Sequence, residues 1–498
     1  MSRRSFLTAA AAAAISAVIP EYGNAFYGRH KADARSVIRE RAWRELQRRI
    51  SGPVLRPWNE AFAWIALPNN LRYSAAIPQG IARCRNAHDV SEAILWAREH
   101  RVPLVARSGG HSYAGYSTTN GLMIETTLMG GATFDRSTGV VSVEGGALNA
   151  AVYDALRAEN LAITHGRCPS VGAAGFLLGG GIGFNMRERG IASDSMLESE
   201  LVTADGRLLT LGDKPHQNPE LFWACRGGGG GNFGINTSFK LKTFAVDRAT
   251  VFHIIWNTNA EAVASALMET LGKAPLALGS RISLQAPSPE QRRADKDVTV
   301  DLLGQFRSAT PQDLRALLDP CYKLATPFAE EIREMSYWKG QDFLSENQNP
   351  VYFQERSAFV NKPFGSDALA MGFKHLRAWP GTSEYGDLRF FQTGGEVNTL
   401  SPTATAFVHR NSEWLLVVGL YWTQQDNRNE ALIRANHEWQ NEFYGAMLPL
   451  VGGGAYQNFA DPSLKDWRRS YYADNLFKLA RVKKAVDPDN VFTFPQAV

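Results

Sequence analysis

Apolar and polar positions follow two textures along this chain. From residue 83 to about 245, short apolar runs at 102–106, 121–125 and 140–143 read as strands. Ahead of them, a helix is predicted from Asp89 through His100, with Asp89 as its N-cap and Glu92 three residues on as the capping partner. A second helix is predicted over 147–160, where Leu148, Val152 and Leu156 recur four apart. Residues 161–164 return as a strand, 197–211 read as a hairpin turning at Asp205-Gly206, and 234–241 form a further strand. Beyond residue 246, strands such as 251–256, 298–303 and 415–422 alternate with helices at 312–323 and 429–444. This pattern predicts an α+β protein whose later part is an antiparallel sheet covered by helices. The last helix, 475–485, ends at Asp487-Pro488-Asp489.

Composition narrows the class. The chain has 498 residues, 44% hydrophobic and 20% charged, which excludes a disordered, coiled-coil or collagenous protein. The formal net charge of +4 is spread without a basic cluster, so no nucleic-acid partner is implied. Cys84, Cys168, Cys225 and Cys321 lie far apart, which argues against both a disulfide framework and a cysteine-rich metal site. At the N-terminus, Arg3, Arg4, Phe6 and Leu7 precede an apolar run of about a dozen residues, too short to span a bilayer. This segment resembles a twin-arginine export signal, with cleavage expected after Ala25. It implies the twin-arginine export machinery as a partner and a periplasmic or extracellular location. No other stretch reaches transmembrane length.

The 44 glycines are clustered at 107–115, 172–183 and 227–234. Glycine admits positive φ and close approach of backbone to ligand, so successive N–H groups can converge on a pyrophosphate. Gly229, Gly231 and Gly234 satisfy G-x-G-x-x-G, but the match opens no helix and is rejected as a Rossmann site. Three clusters beside strands read instead as a backbone-lined cofactor cleft. His111 lies inside the first cluster and Cys168 at the mouth of the second, with no companions at metal-ligand spacing.

Arg107-Ser108-Gly109-Gly110-His111-Ser112-Tyr113 and Gly166-Arg167-Cys168-Pro169-Ser170-Val171-Gly172 resemble the signatures of the berberine bridge enzyme-like oxidases. That group is a branch of the vanillyl-alcohol oxidase/p-cresol methylhydroxylase (PCMH) flavoproteins. The likeness continues through 179–183, 223–234 and 405–410, and closes at 471–475 and 487–492. It implies a two-domain FAD-binding fold: signal peptide 1–25, FAD domain 50–245, substrate domain 246–464, and a segment 465–498 returning to the FAD domain. It also implies FAD attached twice, at the 8α position through His111 and at C6 through Cys168. By the same likeness, Arg107, Ser108, Gly109, Gly110, Ser112, Gly172, Gly175, Gly180, Gly181 and Gly183 cradle the cofactor. Gly234, Ile235, Asn490 and Phe492 border the rest of it. Val171 falls where this family gates oxygen access, and valine there favours an oxidase.

The base that takes the substrate proton is less determined. Some relatives carry a glutamate where this chain aligns Thr399, and others a tyrosine where it has Thr393. Three candidates remain: Tyr456, Glu396 and Tyr421. A tyrosine serves as a base only where a cation or hydrogen bonds stabilise the phenolate. The expected activity is oxidation of an alcohol carbon of a small-molecule substrate, with O2 as acceptor and H2O2 as product. Trp256, Trp338, Trp379, Trp414, Trp422 and Trp439 offer stacking surfaces, which favours a carbohydrate over an aromatic or secondary-metabolite alcohol. The alternatives are a dehydrogenase passing electrons to a quinone or other carrier, and a non-catalytic glycan-binding protein on a flavin fold.

Overall fold

The computed structural model describes residues 39–346, 349–362 and 364–498; the export signal expected over residues 1–25 lies outside them. Two small sheets and a two-stranded ribbon, Leu161–Ala162 with Phe244–Ala245, form the first part. In the four-stranded one, Gly80–Arg83 and Leu104–Arg107 run parallel to Leu122–Glu125, and Val54–Leu55 closes one edge. The five-stranded one is antiparallel, in the order Ala132–Asp135, Val140–Glu144, Ile235–Lys242, Met196–Val202, Leu208–Gly212.

The predicted helix near Asp89 forms as Ala87–Glu99, but Asn86 caps it, accepting from the Asp89 N–H at 2.9 Å. Asp89 is buried and instead accepts backbone N–H groups of Ser51, Gly52 and Arg85. The expected helix over 312–323 is broken into Pro311–Leu317 and Asp319–Tyr322, because Pro320 cannot continue the first. The helix expected to end at residue 444 runs on through Glu430–Val451, where Met447 and Val451 keep its buried face in the core.

The later part is a seven-stranded antiparallel sheet. Its order is Ala329–Ser336, Arg248–Trp256, Thr299–Arg307, Leu278–Gln285, Gly386–Gln392, Trp414–Trp422, Tyr352–Val360. Side chains alternate across it. Ile282, Leu284, Leu388, Phe390, Leu416, Val418 and Leu420 share one face. They pack with Val263, Leu267, Phe373 and Phe443 from the helices Ala260–Gly272, Ser366–Arg377 and Glu430–Val451. Burying one such side chain contributes roughly 1.5–3 kcal/mol. The other face carries a polar patch beside apolar residues such as Leu303, Leu415 and Val417. Register places Glu355, Gly419 and Asp387 in one row, with Arg389 a pleat away.

The C-terminal helix Leu476–Val486 packs against Pro219–Cys225 through Leu479, Val482, Leu221 and Phe222. In its last turn, the buried Lys483 ammonium donates to Asp487, the Asn232 carbonyl and the Phe492 carbonyl. These bonds fold the chain end back on the first part. Among the described residues, no helix is long and apolar enough to cross a membrane.

Candidate active site

Between the glycine-rich loops and the polar patch on the large sheet lies a cavity of about 870 Å³. One wall comes from loops 107–117 and 166–183. A side chain at Gly109 would collide with the Gly172 backbone, and one at Gly172 with Gly109 and Ser108, so only glycine lets these loops touch. His111 Nε2 lies 2.9 Å from Ser170 Oγ, and Cys168 Sγ lies 3.3 Å from the same hydroxyl. Imidazole and thiol therefore converge on one point of the wall. Burial, with the Arg107 charge adding to it, lowers the His111 pKa to about 4, so its imidazole is neutral at neutral pH.

Three buried hydroxyls on this wall, those of Ser108, Tyr116 and Ser117, have no hydrogen-bond partner. Orphans of this kind cost on the order of 1–3 kcal/mol each unless a ligand satisfies them. Glycine contacts, unpartnered hydroxyls and a paired imidazole and thiol together fit a phosphate-bearing flavin. The benzenoid ring of a flavin carries both its C6 and its 8α positions, so two tethers must reach one end of it.

Opposite stands a wall of side chains. The Tyr421 hydroxyl and the Arg389 guanidinium both donate to Glu355 Oε1, and Arg389 Nε donates to Asp387 at 3.1 Å. Gly419 makes this possible, since a Cβ there would strike Asp387 Oδ1 and lie 2.5 Å from Arg389 Nη2. Tyr421 is sandwiched between Tyr385, at 4.4 Å between ring centroids, and Phe353, at 5.5 Å. Burial pushes the Tyr421 phenol well above its ordinary range, and the Glu355 charge adds to that. Burial also raises Asp387 to about 6, against the pull of Arg389. Farther along, Arg281 lies 3.6 Å from both Asp301 and Glu346.

Most residues expected at the cofactor do line the cavity: His111, Cys168, Ser108, Gly109, Gly110, Ser112, Val171, Gly172, Gly175, Gly183, Gly234, Ile235 and Phe492. Arg107 lines it too, but its guanidinium is occupied by the carbonyls of Ala66 and Leu67, so it braces the loop rather than meeting a phosphate. Gly180 and Gly181 stand behind the wall, both at positive φ, packed on Phe407 and on Phe176. Asn490 is an exposed turn residue at φ 53°, away from the cavity.

Among the candidate bases, Tyr456 and Tyr421 line the cavity and Glu396 does not. Gly394 and Gly395, at φ 82° and 57°, turn the chain outward after the strand Gly386–Gln392 and leave Glu396 exposed in the 3-10 turn Gly395–Asn398. The Tyr456 oxygen accepts the Gly181 N–H at 2.9 Å and the Asn458 amide at 3.1 Å, and burial raises its pKa to about 12. The six tryptophans offered as stacking surfaces are all buried in the cores, at most 5% exposed, and none lines the cavity.

Sequence reasoning passed over Ser170, Glu355, Arg389 and Tyr385. A signal was present for part of the group: Asp387 and Arg389 are charges at alternate positions of the strand Gly386–Gln392. Gly419, inside Trp414–Trp422, marks a close approach.

Comparison with known proteins agrees with this geometry. The family described as "FAD binding domain" matches residues 78–212, and the family "Berberine and berberine like" matches 455–498. The uncharacterized FAD-linked oxidoreductase YgaK of Bacillus subtilis is 31% identical over 84% of this chain and 91% of its own length. The structure of berberine bridge enzyme from Eschscholzia californica superposes with a TM-score of 0.81 at 23% identity, over 92% of this chain and 98% of that one. The grass pollen allergen Phl p 4, described as having glucose dehydrogenase activity, superposes at 0.78 with 23% identity, over 91% and 98%.

Proposed function

The chain belongs to the berberine bridge enzyme-like FAD-linked oxidoreductases, and on that premise we propose that it is an exported oxidase with doubly attached FAD that oxidises an alcohol carbon of a carbohydrate, releasing H2O2. The observation that carries the substrate class is the wall facing His111 and Cys168. Glu355, Arg389, Asp387, Arg281 and Glu384 line or back that side of the cavity, and such groups exchange hydrogen bonds with a polyol. The glucose dehydrogenase activity named for the pollen relative points the same way. Val171, on the cavity wall, supports O2 as acceptor by the family likeness.

In this reading His111 and Cys168 hold the flavin, and Ser108, Tyr116 and Ser117 satisfy its polar groups. The flavin, once bound, supplies two-electron acceptance and reoxidation by O2. Tyr421 takes the substrate proton. Its own proton already points at an acceptor, whereas the Tyr456 oxygen meets only donors. Tyr456 instead ties the 180–182 turn to the cavity.

The deciding experiment mixes purified protein anaerobically with a panel of sugars and aromatic alcohols, then admits air. A sugar that bleaches the yellow colour, with recovery in air and peroxide release, supports the proposal. Recovery only with added quinone makes the protein a dehydrogenase, and a colourless protein makes it a binding module. Export is tested by replacing Arg3 and Arg4 with lysine, which should retain the protein in the cytoplasm.

A further inference from the structure

We infer that Glu355 takes up the proton that Tyr421 passes on from the substrate hydroxyl, with Arg389 holding the carboxylate in line; this rests on the alcohol-oxidase reading. The Tyr421 O–H is directed at Glu355 Oε1, so the phenol oxygen has lone pairs left for an incoming hydroxyl. Arg389 binds the same Oε1 from two strands away, reaching across Trp414–Trp422 through the space that Gly419 leaves empty. Glu355 Oε2 is buried and has no partner, although it belongs to a residue that lines the cavity. Burial alone makes a free Tyr421 phenolate costly, and a relay avoids forming one.

The step balances. The substrate O–H proton moves to the Tyr421 oxygen as the Tyr421 proton moves to Glu355 Oε1. The C–H bond at the same carbon breaks with its electron pair going to the bound flavin, and the C=O bond forms. The substrate is oxidised by two electrons, the flavin is reduced by two, and Glu355 ends protonated.

The charged and titratable groups facing this pair are Arg389 and Asp387 from Gly386–Gln392, Tyr385 just before that strand, and Tyr113 from the first glycine loop. Glu346 and Arg281 stand farther out. Of these, Arg389 is the cation in direct contact, so removing the Glu355 charge takes away the anion nearest Tyr421 and leaves Arg389 acting on it with Asp387 as its remaining counter-charge. In the flavoprotein carrying Glu355→Gln, ultraviolet difference titration should therefore show one tyrosine ionising at lower pH than in wild type. Adding Tyr421→Phe should abolish that transition.

Anaerobic flavin bleaching by the active sugar should fall about 10²-fold at neutral pH in the same variant, with KM little changed. It should recover as pH rises through the new tyrosine ionisation, and Glu355→Asp should restore it in part. A purely structural role would lower the rate equally at every pH. If Glu355→Gln fails to fold, Glu355→Leu, which also removes the charge, carries the same two readouts. Bleaching within threefold of wild type, or an unmoved tyrosine titration, overturns the inference. Wild-type flavin that no alcohol bleaches overturns the oxidase reading instead, and the titration then still decides whether Glu355 governs Tyr421.

Discussion

On one side of the cavity, loops 107–117 and 166–183 present backbone, short hydroxyls, one imidazole and one thiol. On the other, the strands Tyr352–Val360, Gly386–Gln392 and Trp414–Trp422 present a tyrosine, two carboxylates and an arginine bonded to one another. The difference follows from the task. A cofactor common to many enzymes is held by main-chain geometry that side chains must not obstruct, hence Gly109 against Gly172. A substrate is distinguished by side chains, and a sheet face lets each strand contribute one without disturbing the ladder beneath.

The contrast can be broken by substitution, most sharply on the cofactor side. His111→Ala and Cys168→Ala should each leave one flavin bond, and the double variant should leave none after acid precipitation. Flavin still on the denatured double variant would remove the basis of the whole assignment. On the substrate side, Tyr421→Phe should slow anaerobic flavin reduction by roughly 10²-fold or more without changing flavin content. Tyr456→Phe should cost less than about tenfold, together with about 1–3 kcal/mol of stability from the unpaired Gly181 N–H. Equal losses in the two variants would erase the distinction between base and brace.

Glycine substitutions sharpen the comparison further. Gly109→Ala should deplete flavin, because its Cβ meets backbone that cannot retreat. Gly419→Ala should keep the flavin yet displace Arg389, lowering the reduction rate by about 10²-fold, the scale expected for small misplacements near the chemistry.

The smallest effect is a pair of opposite pH slopes in thermal stability. His165, buried beside Tyr337, has its pKa lowered from 6.5 to about 4, so the folded state binds that proton less well and stability falls as pH drops through this window. Asp387 is raised from 3.8 to about 6, so the folded state holds its proton more tightly and stability falls as pH rises through that range. Melting curves of His165→Gln and Asp387→Asn, each compared with wild type between pH 4 and about 6.5, should flatten the two slopes separately. A slope of the same sign at both sites would contradict the burial argument.

Legibility in the sequence divides along the same line. The glycine clusters, His111 and Cys168 are contiguous motifs, because close backbone approach constrains neighbours in the chain, and most of their residues do line the cavity. Asn490, Gly180 and Gly181 belong to the same motifs yet stand off the cavity, since a motif records a turn without saying which atoms of it face inward. Glu396 was plausible by proximity to Gly395, but two successive positive-φ glycines send it to solvent. The buried tryptophans show how weakly residue type alone predicts a binding surface.

The sequence by itself determined the α+β class, the alternation of the later strands and the glycine-rich loops that line the cavity, because each depends on local backbone geometry or on a period of two or of about four. Only the tertiary structure decided that Glu355, Arg389, Asp387 and Tyr421 form one hydrogen-bonded group. These residues lie up to 66 positions apart in the chain. Their meeting depends on sheet order and on one missing side chain at Gly419, neither of which local pattern specifies.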